Sequence, residues 1–143
     1  MTRQEVILAA MATNGAYTYT PVQLQKLLFL LDRRLAPDLG GPHFDFKPYH
    51  YGPFDKAVYA ELESMEQQGH VEIIREPHLK LRRFRLSPDG ENLGRNVLAA
   101  ADPKTVDYMS KLADFVRTAS FPSLVSAIYQ AYPEMRVNSV FVE

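Results

Sequence analysis

The chain has 143 residues, of which 46% are hydrophobic, and its formal net charge is −1. This length fits one domain with a substantial core, and the near-neutral charge leaves any electrostatic function to local clusters. The lack of cysteine excludes disulfides and thiolate metal sites, and it favours a reducing compartment. We therefore expect a single cytoplasmic domain, 1–143, without an export signal or membrane span, because the most apolar run, 27–31, is far shorter than the roughly 20 residues that a bilayer requires.

Apolar periodicity and capping residues predict six helices. The second is apolar on nearly all sides, which is typical of a helix at the centre of a domain. The third has one apolar face and one charged face. The six are expected over 3–13, from Thr20-Pro21 to Pro37, from about Pro53 to Gly69, from Ser87-Pro88, from Asp102-Pro103, and from Pro122 to Tyr132.

A β-hairpin is predicted between the third and fourth helices, with strands at 71–76 and 79–86. In its second strand, Leu79 and Leu81 alternate out of phase with the later apolar residues, which predicts a bulge or a bend at Arg82-Arg83. Helices followed by such a hairpin predict a mainly α, α+β fold. We expect a winged helix-turn-helix-like core over about 1–86, with additional C-terminal helices over 87–143 packed on it.

Catalytic and nucleotide-binding signatures are absent from the sequence, including nucleophile elbows and glycine-rich phosphate loops. The four histidines do not pair at the spacing of a helical metal site. A metal site assembled by folding from His43, Asp45 and His50 stays open beside the favoured interpretation, which is ordinary loop hydrogen bonds. We therefore predict a chain that is not an enzyme and needs no cofactor or metal, so that the question becomes its partner.

An aromatic loop, 44–54, precedes the third helix. Its tyrosines could fill the gap between helices, which is the favoured interpretation, or they could form a partner surface, because aromatic rings with polar tips suit recognition. The phenylalanines are expected in the core. The candidate partner-binding residues are Tyr49, His50, Tyr51, Tyr59, Glu63 and Glu66.

The predicted hairpin carries five cations and one glutamate between Arg75 and Arg85. Lys80, Arg82, Arg83 and Arg85 could therefore contact nucleic-acid phosphates, as in a winged-helix transcriptional regulator. The preceding helix is acidic, however, and would be repelled by DNA. As a second alternative, the hairpin and the acidic helix pair with each other or with a partner that carries both charges.

Three further segments of the sequence are distinctive: Leu24-Gln-Lys-Leu-Leu-Phe-Leu-Leu-Asp32, Tyr51-Gly-Pro-Phe-Asp-Lys-Ala-Val-Tyr59, and Leu86-Ser-Pro-Asp-Gly90. Together they resemble the Panacea-type antitoxin domain and related phage-associated proteins of unknown function. The resemblance implies a compact helical domain that neutralises a toxin by binding it, or that presents it to a protease, without catalysis of its own. The expected partner is thus a protein, with a toxin as one option, and the oligomeric state stays open, a homodimer included.

Overall fold

Seven α-helices and two antiparallel β-hairpins form the fold within residues 1–78 and 81–142, which are the residues that the structure, a computed structural model, describes. The helices are α1 (Arg3–Ala12), α2 (Pro21–Arg34), α3 (Ala36–Leu39), α4 (Ala57–Gln67), α5 (Pro88–Ala100), α6 (Pro103–Thr118) and α7 (Phe121–Ala131), and a 3₁₀ helix, Pro133–Arg136, follows them. The strands are β1 (Lys47–Tyr49), β2 (Gly52–Phe54), β3 (Val71–Glu76) and β4 (Leu81–Leu86). The α+β prediction is confirmed.

Helix α2 lies at the centre of the core, as its all-round apolar sequence predicts. Every residue from Leu24 to Asp32 is buried. Its start is fixed by a capping box, in which the Thr20 hydroxyl accepts from the Gln23 N–H and the Gln23 side chain accepts from the Thr20 N–H. None of the helices in the described part of the chain is both long and apolar enough to cross a membrane.

The β1–β2 hairpin was not predicted, and the helix expected from Pro53 begins instead at Ala57. The reason is a long-range contact: the Gln25 side chain binds both main-chain groups of Asp55 at 3.0 Å and holds this segment extended. The Asp55 carboxylate then accepts from the Ala57 N–H at 2.9 Å, a local turn that leads into the first residue of α4. The second helix, predicted to end at Pro37, ends instead at Arg34, and Pro37 lies in the separate short helix α3.

The β3–β4 hairpin has a continuous register from Val71 opposite Leu86 to Glu76 opposite Leu81. Of the bulge or bend predicted at Arg82-Arg83, the bulge is therefore wrong. Phe84 and Leu86 stay buried, whereas Leu81 is 56% exposed, so that the break in alternation places a leucine on the outer face. Leu79 lies outside the described residues.

The winged-helix assignment stays a prediction. Helices α2 and α4 are separated by α3 and the β1–β2 hairpin, whereas a helix-turn-helix joins its helices by a tight turn.

Helix α5 packs against α1 at a distance that only glycine permits. A Cβ atom added at Gly94 would lie 2.6 Å from the Ala12 Cβ and 2.6 Å from the Leu8 carbonyl oxygen. Both contacts are shorter than van der Waals separation, and one of them involves a main-chain atom of a helix. The close approach of α1 and α5 therefore depends on Gly94.

Gly94→Ala should lower the free energy of unfolding by about 1–3 kcal/mol, because the added methyl forces α5 away from α1. Chemical denaturation would measure the loss. Asn96→Ala is the matched control, since residue 96 lies on the exposed side of the same helix. Equal stability of the two variants would contradict the packing argument.

A candidate partner-binding site beside a buried lysine

The β1–β2 hairpin presents Tyr49, His50 and Tyr51 on the protein surface; we call these three residues the aromatic turn. Tyr49 is 49% exposed and Tyr51 is 43% exposed. The Tyr49 ring stacks on His50 with centroids 4.3 Å apart, and Tyr51 meets the Phe121 ring edge to face at 5.3 Å. The tyrosines that were expected mainly as core residues are therefore exposed here, while Phe44 of the same loop is buried, as expected.

Tyr59 belongs to a different environment from the aromatic turn. Its ring is half-buried between Phe84, at 6.2 Å, and Phe54, at 5.7 Å, and the Arg82 guanidinium lies 4.9 Å from its centroid. Burial raises the pKa of the Tyr59 hydroxyl. Of the predicted tyrosines, this one contributes mainly to packing.

The C-terminal segment fastens the aromatic turn from outside. The Val140 N–H donates to the His50 carbonyl at 2.9 Å, and the Asn138 amide donates to the Pro48 carbonyl at 3.2 Å. The Phe141 ring packs near Phe121 at 6.0 Å. Sequence patterns did not predict this contact, because the segment has neither helical nor strand periodicity.

A cavity of about 200 Å³ lies between α2 and the aromatic turn. Its wall is mostly apolar and aromatic, and it includes one lysine that the sequence analysis did not select as a site residue. The lining residues are Val22, Gln25, Lys26, Tyr49, His50, Tyr51, Gly52, Phe54 and Tyr59.

Lys26 is only 4% exposed, yet it carries no opposite charge beside it. Its ammonium donates to the Pro53 carbonyl at 3.3 Å, and no carboxylate in residues 1–78 or 81–142 forms an ion pair with it. Burial lowers the pKa of Lys26 to about 8. In the sequence, Lys26 is distinguished only as a polar residue within an apolar helix. A buried lysine cannot be distinguished from an exposed one on that basis.

Gly52 joins the aromatic turn to β2 with φ at +103°, a conformation that side chains rarely adopt. The helix start expected at about Pro53 is wrong, because Pro53 lies in β2. A Cβ atom on Gly52 would lie 3.4 Å from the Lys26 Cε and 3.6 Å from the Tyr129 Cε1.

Gly52→Ala should destabilise the fold by about 1–2 kcal/mol, because an L side chain is strained at this φ. Thermal or urea denaturation would measure the change. Wild-type stability in the purified variant would show that this corner does not require glycine.

Lys26→Met should raise the free energy of unfolding at pH 7, by at most about 3 kcal/mol, because it removes a buried charge. Below pH 8 Lys26 is charged in both states and its burial is fully unfavourable. Between about pH 8 and 10.5 the unfolded chain binds more protons than the folded one, so wild-type stability rises with pH relative to the variant.

Urea denaturation of both proteins at pH 7 and pH 10.5 would test this. Tyr19 and Tyr59, whose pKa values burial raises, are common to the two proteins and cancel in the comparison. A stability difference independent of pH would contradict the assignment of a buried, uncompensated charge.

The basic hairpin and the acidic helix pair with each other, which is one of the two arrangements left open by the sequence. Glu66 accepts two hydrogen bonds from Arg75, at 2.8 and 3.0 Å, and these lower the pKa of Glu66. Glu63 pairs with Arg82 at 3.3 Å.

Within the hairpin, Arg85 pairs with Glu72 at 2.7 Å, and Arg83 pairs with Glu76. Four arginines thus face four glutamates, and their formal charges cancel. Lys80, the other candidate for nucleic-acid contact, lies outside the described residues. Exposed pairs of this kind add little stability, but they occupy the guanidinium groups that phosphates would use.

The histidines considered for a metal site do not converge. His43 Nε2 lies 2.8 Å from the Leu39 carbonyl oxygen, and His50 stacks on Tyr49. Across 1–78 and 81–142, no group of three or more metal-binding side chains occurs.

Comparison with protein-family models and with curated proteins gives no match. The resemblance to the Panacea-type antitoxin domain therefore stays a prediction that rests on the three segments quoted above.

Proposed function

We propose that this chain is a non-enzymatic protein-binding domain that acts in the cytoplasm and contacts its partner through the aromatic turn. The observation that carries the proposal is the exposure of Tyr49, His50 and Tyr51 together on one hairpin. Aromatic rings of this kind bury a large area on binding and lose few rotamers.

The main chain of the β1–β2 hairpin is held in place by hydrogen bonds, which supports the proposal. Its main chain is bound by Gln25 and Lys26 from the core side and by Val140 from the outer side. A recognition surface that is fixed before binding loses less conformational entropy when the partner arrives.

The ion pairs favour a protein over nucleic acid as the partner. A phosphate contact would have to displace the carboxylates of Glu63, Glu66, Glu72 and Glu76 from their arginines, and the displaced glutamates would then repel the phosphate. The same pairs reduce the role that we propose for Glu63 and Glu66, since each is already bound within the domain.

The more specific role that we propose is that of an antitoxin or proteolysis adaptor, with a toxin as the partner. Its support is the resemblance of the α2, β2–α4 and α5 segments to the Panacea-type domain. The aromatic turn would then be the surface that holds the toxin.

The test is affinity capture from the native host at low and moderate salt, followed by binding measurements on each captured protein. Tyr49→Ala combined with Tyr51→Ala should weaken the complex by about tenfold or more, as expected for aromatic anchors. Tyr17→Ala is the matched control, because Tyr17 is also 43% exposed but lies against Arg117 of α6.

A triple variant, Arg82→Gln, Arg83→Gln and Arg85→Gln, addresses the alternative of a DNA-binding regulator. It should bind the partner as the wild type does. Duplex DNA that binds the wild type, is released by salt and is lost from the triple variant would instead place the function in the hairpin.

A further inference from the structure

The charge of Lys26 is unmatched inside a cavity that opens beside the aromatic turn. Its ammonium has three N–H donors, and within residues 1–78 and 81–142 it makes one hydrogen bond, a long one of 3.3 Å to the Pro53 carbonyl. Buried charges are normally paired or bound to further polar groups, because their desolvation is costly. The Lys26 ammonium, with donors to spare beside a cavity that Lys26 lines, is therefore a candidate for binding an incoming anion.

The Tyr129 side chain also lies beside Gly52, although Tyr129 is not among the residues that line the cavity. Within the described residues, the Tyr129 hydroxyl is the buried side-chain oxygen that has no hydrogen-bond partner. The Tyr129 ring and the Lys26 ammonium both flank Gly52: a Cβ atom there would lie 3.6 Å from Tyr129 Cε1 and 3.7 Å from Lys26 Nζ. The absence of a side chain at Gly52 keeps this space open.

The size and lining of the cavity restrict what the anion can be. About 200 Å³ is a few times the ~30 Å³ that a water molecule occupies in the liquid, which suits one short side chain. A single ammonium matches the single charge of a carboxylate, whereas phosphate recognition typically uses an arginine fork or several main-chain N–H groups. The aromatic rim suits an apolar neighbour of that carboxylate.

We propose that the cavity receives an acidic side chain of the partner protein, whose carboxylate binds the Lys26 ammonium while an adjacent apolar residue packs on Tyr49 and Tyr51. This inference rests on the proposed protein-binding function. A side chain is assigned in preference to a chain terminus, because its carbon stem lets the carboxylate reach the buried Lys26 while the partner's main chain stays outside the cavity.

Two blocked dipeptides test the carboxylate on the wild-type chain. The first is N-acetyl-phenylalanyl-glutamic acid with a C-terminal amide, and the second is its glutamine counterpart, which has the same shape without the charge. Titration would be followed by NMR of the backbone amides of Gly52, Tyr49 and Tyr59. The glutamic acid peptide should bind about tenfold more tightly or better, since it alone offers a charge-assisted hydrogen bond.

A third peptide, N-acetyl-glutaminyl-phenylalanine with a free C-terminal carboxylate, distinguishes the two sources of the anion. Weaker binding of this peptide than of the glutamic acid peptide supports the side-chain assignment, and tighter binding overturns it. Equal binding of the glutamic acid and glutamine peptides overturns the carboxylate site altogether.

Lys26→Met supplies the corresponding change on the protein. It should abolish the preference for the glutamic acid peptide, whereas Lys104→Met, at an exposed position of α6, should retain it. A preference that survives in Lys26→Met would overturn the role of Lys26. The peptide titration requires no natural partner, so its result does not depend on the capture experiment. If the peptides do not bind, the capture experiment still tests the aromatic turn, and if capture finds no partner, the peptide result still tests the carboxylate site.

Discussion

Three polar side chains on the buried helix α2 bind the main chain of the segment 43–55, and the site residues are positioned by these hydrogen bonds. Asp32 accepts from the N–H groups of His43 and Phe44, Gln25 binds both main-chain groups of Asp55, and Lys26 donates to Pro53. An irregular segment against a core must satisfy its main-chain groups, because a buried unpaired group is costly. The central helix therefore organises both the apolar core and the aromatic hairpin that lies on it.

These three side chains differ in how well they satisfy the main chain: Gln25 and Asp32 do so fully, whereas Lys26 does so poorly. The Gln25 amide uses its donor and its acceptor on the two main-chain groups of one residue, and the Asp32 carboxylate accepts two N–H groups, one at each oxygen. Lys26 supplies one donor at 3.3 Å and brings a positive charge for which the described part of the chain provides no ion-pair partner. An apolar residue of similar length would fill the same space without that penalty. A buried group whose charge reduces stability is a candidate for function, since natural proteins give up stability mainly at their sites.

Local sequence signals predicted the parts of the fold that local interactions decide. Cap and proline pairs such as Thr20-Pro21 and Asp102-Pro103 mark helix starts because their hydrogen bonds close within a few residues. The β1–β2 hairpin was missed because Gln25 forms it from 30 positions away, and Pro53 fits an edge strand as well as a first helical turn. The aromatic residues of the site could be named from sequence, whereas Lys26 could not, because its significance lies in its burial.

The paired arginines of the β3–β4 hairpin and the buried Lys26 contribute differently to recognition. An exposed arginine that is paired with a glutamate can exchange one carboxylate for another at little net free energy, so the β3–β4 hairpin distinguishes poorly among protein partners that carry carboxylates. A buried ammonium can bind only an anion that is small enough to enter the cavity and that the partner places correctly. A neutral group at the same place would leave the ammonium charge unpaired. The aromatic turn can supply contact area to many partners. Selectivity among these partners is therefore expected to depend on Lys26 more than on the arginines of the β3–β4 hairpin.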